Sequence, residues 1–265
     1  MKKSVLLIAA LFLFVFVSLA NYSKCKIRNT STKTGEKITY KVYYTFGRAW
    51  VGAGQASFSN TLTRYNGKPV YHITGLGSTF KSYDWFFKVR DKYETYIDTA
   101  TMLPYKFVRN VSEGGTKFYK TIKFDQKNKK ATSTKGTKKV PSCIHDVLSS
   151  IYFARNIDFN RYAKGTKIPL TIFLDDKVYE IYIRYLGKYN LKTKHGEYRT
   201  IKFKPLLIKG TIFEGGEKMT VWVTDDKNRI PVHIETPIAV GSIRVDLVGY
   251  KGLRNKATGI LKFKK

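Results

Sequence analysis

The sequence predicts a mostly β protein of the α+β type: an antiparallel sheet of about twelve strands, curved into an open barrel or a sandwich, with one central amphipathic helix. Three observations predict it. Apolar and polar residues alternate along segment after segment, the period of a strand with one buried face. Glycine, asparagine and aspartate punctuate those segments at hairpin spacing. A single stretch, Pro141 to Ile157, changes to a helical period.

Taken in order, Ile38, Tyr40, Val42, Tyr44 and Phe46 alternate with Lys37, Thr39, Lys41, Tyr43 and Thr45, a first strand with one buried face. Gly47, Gly52 and Gly54 break or bulge it. Gln55–Thr63 and Val70–Gly75 follow as a hairpin across Asn66-Gly67, a pair suited to a tight turn. The segment Phe80–Tyr96 is dense in aromatics. Its run Trp85-Phe86-Phe87 reads either as a core strand, since aromatics favour strands, or as a loop that dips an apolar tip into a cavity or a membrane surface. Leu103 to Phe107 and Lys117–Phe124 are further strands around a Glu113-Gly114-Gly115 turn. The lysine-rich Gln126–Lys139 reads as a solvated turn and loop. Beyond the helix, Lys167–Leu174 and Lys177–Leu186 pair across Asp175-Asp176, and strands at Tyr198–Ile208, Glu217–Thr224, Arg229–Glu235, Ser242–Tyr250 and Thr258–Phe263 complete the set.

The helix is expected over residues 142–156. Ile144, Val147, Leu148 and Ile151 fall at i, i+3, i+4 and i+7, and Tyr152 and Phe153 widen the apolar face. Ser142 is placed to cap the start, Asp146 lies in the first turns and Arg155 in the last, where each suits the helix dipole. A short echo between Gly35–Tyr44 and Gly165–Leu174 suggests halves at 35–125 and 165–265 joined by this helix. A second registration, Glu113-Gly114-Gly115 with Glu214-Gly215-Gly216, competes with it, so recurring hairpin chemistry is the safer explanation.

The first twenty residues have the parts of a secretory signal: Lys2 and Lys3, an apolar run from Val5 to Val17, and a small-residue cleavage site at Ser18-Leu19-Ala20. The stretch from Val5 to Ala20 is shorter than the roughly 20 residues a bilayer core requires, which favours cleavage over retention as an anchor. The expected location is the periplasm or the cell envelope. Residues 21–34 form a basic N-terminal arm, and 35–265 one β-rich domain. Cys25 lacks the small apolar residues that precede lipid-modified cysteines, and in an exported chain it can pair with Cys143.

Charge is the other strong signal. The 265-residue chain carries 49 Lys+Arg against 19 Asp+Glu, a net +30, which draws anions and acidic partners. Adaptation to a particular environment explains it equally well.

Chemistry, by contrast, finds little support. His72, His145, His195 and His233 stand far apart, with none of the spacings that make a zinc site. Gly75-Leu76-Gly77-Ser78 lacks the P-loop lysine, and there is no Gly-x-Ser-x-Gly elbow. His145-Asp146 are neighbours rather than a relay, while Asp175-Asp176 and Asp225-Asp226 sit at turns, where aspartate satisfies its own backbone. No catalytic residue, metal ligand or cofactor is therefore assigned. Lysines interleaved with aromatics, as in Lys117-Phe118-Tyr119-Lys120, could contact nucleic acid, but export argues against that target.

Several short motifs, in order, carry a family likeness: Gly35-Glu36 with Tyr40; Tyr93 to Pro104; Val140-Pro141 with Asp146, Ser149, Tyr152 and Arg155; Gly196-Glu197-Tyr198; Trp222 to Asp226; and Ile230-Pro231-Val232. With these the chain resembles a bacterial family of exported proteins, domain of unknown function 3108. The resemblance implies a β-rich envelope domain and supplies no catalytic residues. At the level of fold alone, a curved sheet around a helix is also similar to the periplasmic carriers of lipoproteins. The expected role is binding an apolar or anionic envelope component (lipid, lipoprotein or acidic glycan) with peripheral membrane contact, and Trp85, Phe86 and Phe87 as its rim. The alternative is a hydrolase acting on a cell-envelope polymer.

Overall fold

The computed structural model describes residues 27–46, 49–85, 87–208, 215–238 and 241–264. The leader at 1–20 and the first part of the arm lie outside the described residues. So does Cys25; Cys143 itself carries no free thiol.

Two meanders of hairpins build one sheet. The first runs through β1 (Lys37–Phe46), β2 (Ala49–Tyr65), β3 (Lys68–Thr79), β4 (Arg90–Asp98), β5 (Pro104–Glu113), β6 (Thr116–Asp125), β7 (Lys130–Ser133) and β8 (Gly136–Lys139). The helix α1 (Val147–Ala154) follows, and then β9 (Lys167–Leu174), β10 (Lys177–Thr193), β11 (Gly196–Pro205), β12 (Thr220–Thr224), β13 (Pro231–Pro237), β14 (Ser242–Lys251) and β15 (Ile260–Phe263). Within each meander every strand pairs with the next, and β14 pairs antiparallel with β1, so β1 lies in the middle of the sheet. β15 lies off this path, against β11. Among the described residues, a mostly β class with one α-helix is thus what the structure has.

The sheet curls without closing. Its edges are β8 and β9, and residues 140–146 cross the gap between them. Val140 N–H donates to the Lys129 carbonyl, His145 N–H to that of Thr171 and Phe173 N–H to that of His145. The β9–β10 turn adds side-chain ties, with Asp175 bound by Arg109 and Lys120, and Asp176 accepting from the Ser133 hydroxyl. Register shifts at Val42/Tyr43 and at Tyr185/Gly187 supply the bends that such curvature requires.

This bridging segment explains why the helix is shorter than its periodicity suggests. Residues spent in extended pairing beside β9 cannot also be helical, and Cys143 has a positive φ of 60°. Asp146, not Ser142, is the N-cap: its carboxylate accepts from the backbone of Leu148 and Ser149, and the Ser149 hydroxyl accepts from the Asp146 N–H. The buried face is Leu148, Ser149, Tyr152 and Phe153. Ile144 is buried outside the helix, Val147 is half-buried, and Ile151 is 38% exposed, contrary to the predicted stripe. Inward pull at Arg155 sets this rotation, because Leu148, Tyr152 and Arg155 align at i, i+4 and i+7.

Two further expectations change. Gln126–Lys139 is not a plain loop: Lys130–Ser133 and Gly136–Lys139 pair as a short edge hairpin whose outer strand is wholly exposed and basic, a sequence that discourages edge-to-edge association. In the arm, Asn29, Ser31 and Thr32 are buried.

The interior is filled from three directions. Leu148 and Tyr152 pack with Ile73, Ile97, Phe107, Ile122 and Phe173; Phe153, Ile157 and Phe159 pack with Ile168, Ile183, Phe203 and Val221. A third cluster joins Ile38 and Tyr40 to Tyr198, Ile230 and Leu247. Each such large apolar side chain contributes about 1.5–3 kcal/mol on burial. Among the described residues no helix is long and apolar enough to cross a membrane.

Candidate functional site

Most buried polar groups prove to be structural. Arg155 holds Glu36 through two bonds of 2.6 and 2.8 Å, donates to the carbonyls of Ser31 and Asn228, and stacks 5.0 Å from the Tyr152 ring centroid. Burial opposes its charge, yet the Glu36 carboxylate raises the Arg155 pKa above its ordinary value. It stands at the helix C-cap, and its role there as a buried anchor was not read from the sequence.

Beside it, the Asp146 carboxylate also accepts from Thr95 Oγ1 at 2.7 Å. Burial pushes this carboxyl up to about 6, against the hydrogen bonds that pull it down. Burial alone lowers His145 to about 3, so its ring is neutral, with Nδ1 3.3 Å from Ser149 Oγ. Both groups are sealed in the core.

On the other half of the sheet, His233 Nδ1 lies 2.5 Å from Asp246 and Nε2 3.0 Å from Glu235. Burial works against the charged ring, but its hydrogen bonds to the Asp246 and Glu235 carboxylates reverse that and raise its pKa, while His233 in turn holds Glu235 down to about 2. With a carboxylate at each nitrogen the ring keeps no lone pair for a proton or a metal. Among the described residues no group of three or more His, Cys, Asp or Glu is placed to hold a metal ion.

A groove of about 440 Å³ opens to solvent across β1 to β4. It lies on the outer face. Gly75 faces inward, where an added Cβ would meet Phe58 at 3.1 Å and Leu148 at 3.8 Å, so its neighbour Leu76 and the paired Ser57 point away from the core. Lys37, Leu76, Arg90 and Lys92 line it together with the small polar Thr39, Ser57 and Ser78. Of its three cations two are paired, Arg90 with Asp84 at 2.7 Å and Lys92 with Glu94 at 3.1 Å, while Asp91, also in the lining, accepts from the Ser112 N–H.

Arg90 joins this groove to the aromatic loop. Its guanidinium donates to Asp84 at 2.7 Å and to Thr79, whose hydroxyl in turn donates to Asp84. Burial works against it, but these hydrogen bonds hold the Asp84 carboxyl below its usual range. The loop braced in this way presents Trp85, 84% exposed, and Phe87, 42% exposed. Phe87 lies over Gly114, where a Cβ would come within 2.4 Å of its ring. Lys88 O accepts from Gly114 N–H and Val89 bridges Glu113, fastening the loop to the β5–β6 turn. Glu113 is pushed up to about 7, first by burial and then by the neighbouring Asp91.

Of the sequence-predicted rim, then, Trp85 and Phe87 lie in a surface loop rather than a core strand, and Phe86 falls outside the described residues. The groove itself went unpredicted. Its only sequence signal was the polar face of the first strand, Lys37, Thr39 and Lys41, which any solvated strand would share.

These features define a β-barrel-like protein, a curled antiparallel sheet around one helix with a basic groove on its outer face. The chain belongs to the family described as protein of unknown function DUF3108, whose model matches residues 39–248. Among solved structures it is similar in fold to a β-barrel-like protein of domain of unknown function DUF1849 from Brucella abortus, at 9% identity and a TM-score of 0.50, covering 85% of this chain and 97% of that one. A protein with YmcC-like fold from Bacteroides fragilis aligns at 11% identity and a TM-score of 0.32, covering 85% and 100%. No curated protein matches the sequence.

Proposed function

We propose that this chain is an exported, non-enzymatic protein of the cell envelope that holds an anionic envelope component on the outer face of β1 to β4, with the Trp85–Phe87 loop as its rim. One observation carries the reading: Lys37, Arg90 and Lys92 line one groove with a small polar floor, and Arg90 also braces the exposed aromatic loop. The leader supports the location and the +30 charge supports the sign of the ligand. A hydrolase would need an acid and a base facing a cleft; His145 is sealed in the core and His233 has a carboxylate on both nitrogens.

The test is retention. Native mass spectrometry of protein purified from envelope fractions should show a co-purifying component that is lost as salt rises, because screening weakens charge-borne binding. Lys37→Glu with Lys92→Glu should abolish retention, as should alanine at Trp85, Phe86 and Phe87, with secretion intact. Retention unchanged in both variants refutes the assignment.

A further inference from the structure

The two ends of the curled sheet differ in chemistry. Because each meander is made of hairpins, alternate connections fall at opposite ends of the strands. Among the described turns, one end collects those at 80–85, 87–89, 114–115, 134–135 and 175–176; the other collects those at 66–67, 99–103, 126–129, 194–195 and 225–230. The second set is built from polar turn residues such as Asn66-Gly67, Thr99 to Thr101 and Lys127-Asn128. The first end has polar turns too, Asp175-Asp176 among them, but it also bears Trp85 and Phe87, Trp50 at 38% exposed with Arg244 4.4 Å from its ring centroid, and Ile238, with Lys81 and Lys88 exposed beside the aromatic loop.

Tryptophan is amphipathic and collects at membrane–water interfaces, and lysines beside such a residue meet the negative potential of anionic lipid headgroups. A soluble anion would explain the cations but not an indole held out at 84% exposure by its own Arg90–Asp84–Thr79 brace. An acidic protein would not explain the apolar loop tip.

We infer that this end docks on the headgroup layer of an anionic bilayer, with Trp85 and Phe87 inserted to interfacial depth and the groove cations turned to the phosphates. The inference rests on the binding reading above and names its partner. Docking follows from two separable contributions, charge from the lysines and apolar burial from the loop. The first sets whether the surface is found, the second how long it is held.

The mature protein should float with vesicles of phosphatidylglycerol and phosphatidylcholine and not with phosphatidylcholine alone. Lipids brominated in the upper acyl chain should quench its tryptophan emission. Trp85→Phe should remove most of that quenching and keep flotation, while Trp222→Phe, on β12 and away from the loop, should leave it unchanged. Trp85→Ala with Phe87→Ala should partition roughly tenfold more weakly, the scale of burying one large aromatic in part. Flotation without quenching, abolished by Lys37→Glu with Lys92→Glu, would overturn the insertion and leave the groove reading standing. Absence of flotation in the unmodified protein would overturn the docking, and retention of the co-purifying component would then decide the groove separately.

Discussion

Arg155 and Glu36, 119 residues apart, meet in a buried bidentate ion pair at 2.6 and 2.8 Å, and through it the helix grips the first strand, the arm and the β12–β13 turn at once. Removing one partner leaves an uncompensated buried charge. Arg155→Met or Glu36→Gln should lower unfolding free energy by about 3–5 kcal/mol in urea titration. Replacing both together with apolar residues of similar volume should cost less than either alone.

Helix capping gives a contrast between two residues that look equivalent in sequence. Asp146→Ala removes the cap and deprives Thr95 of its acceptor, so a loss of about 1–2 kcal/mol is expected. Ser142→Ala, at an exposed position four residues earlier, should leave the denaturation midpoint unchanged.

On the helix surface, Leu148→Ala should cost about 2–5 kcal/mol, since it empties a packed site. Ile151→Ala, on the exposed side, should cost about 0.5 kcal/mol. The reverse order in thermal melts would place the helix in another rotation.

Glycines in β2 and β3 separate sterically. A Cβ at Gly54 would lie 2.4 Å from the Ser78 carbonyl oxygen, whereas at Gly77 nothing lies within 4 Å. Gly54→Ala should therefore destabilise by about 1–3 kcal/mol through overpacking, and Gly77→Ala should be tolerated.

Acidity should register at the β5–β6 turn. Glu113 titrates at about 7 in the fold against 4.5 when free, so the folded chain binds its proton more tightly. Its contribution is intact below pH 4.5 and is lost as pH rises through 7. Glu113→Gln, which cannot ionise, should flatten that decline in a pH series of urea melts.

The sheet was legible because a strand with one buried face writes its period directly, as in Ile38, Tyr40 and Val42. The Asn66-Gly67 and Asp175-Asp176 turns were legible for a similar reason, since both need backbone conformations few residues accept. The helix was only half legible: its existence follows from spacing, but its start depends on residues 143–146 pairing beside β9, a contact made across the sheet's gap. Arg155 as an anchor was invisible, because nothing local tells a capping cation from one whose partner is 119 residues away. The groove escaped for the same cause, being made of side chains from four strands that each look solvated alone. Trp85 and Phe87 stood out as aromatics, while their escape from the core depends on the Asp84–Arg90 brace.

The central position of β1 has a temporal side. It is the first strand to be synthesised and its second neighbour, β14, is the last long one, so one flank of β1 stays bare until nearly the whole polypeptide exists. Such distant pairing makes for slow folding and exposes a hydrogen-bonding margin to strangers meanwhile. Assembly of this protein is consequently an all-or-nothing event that a truncated chain cannot rehearse.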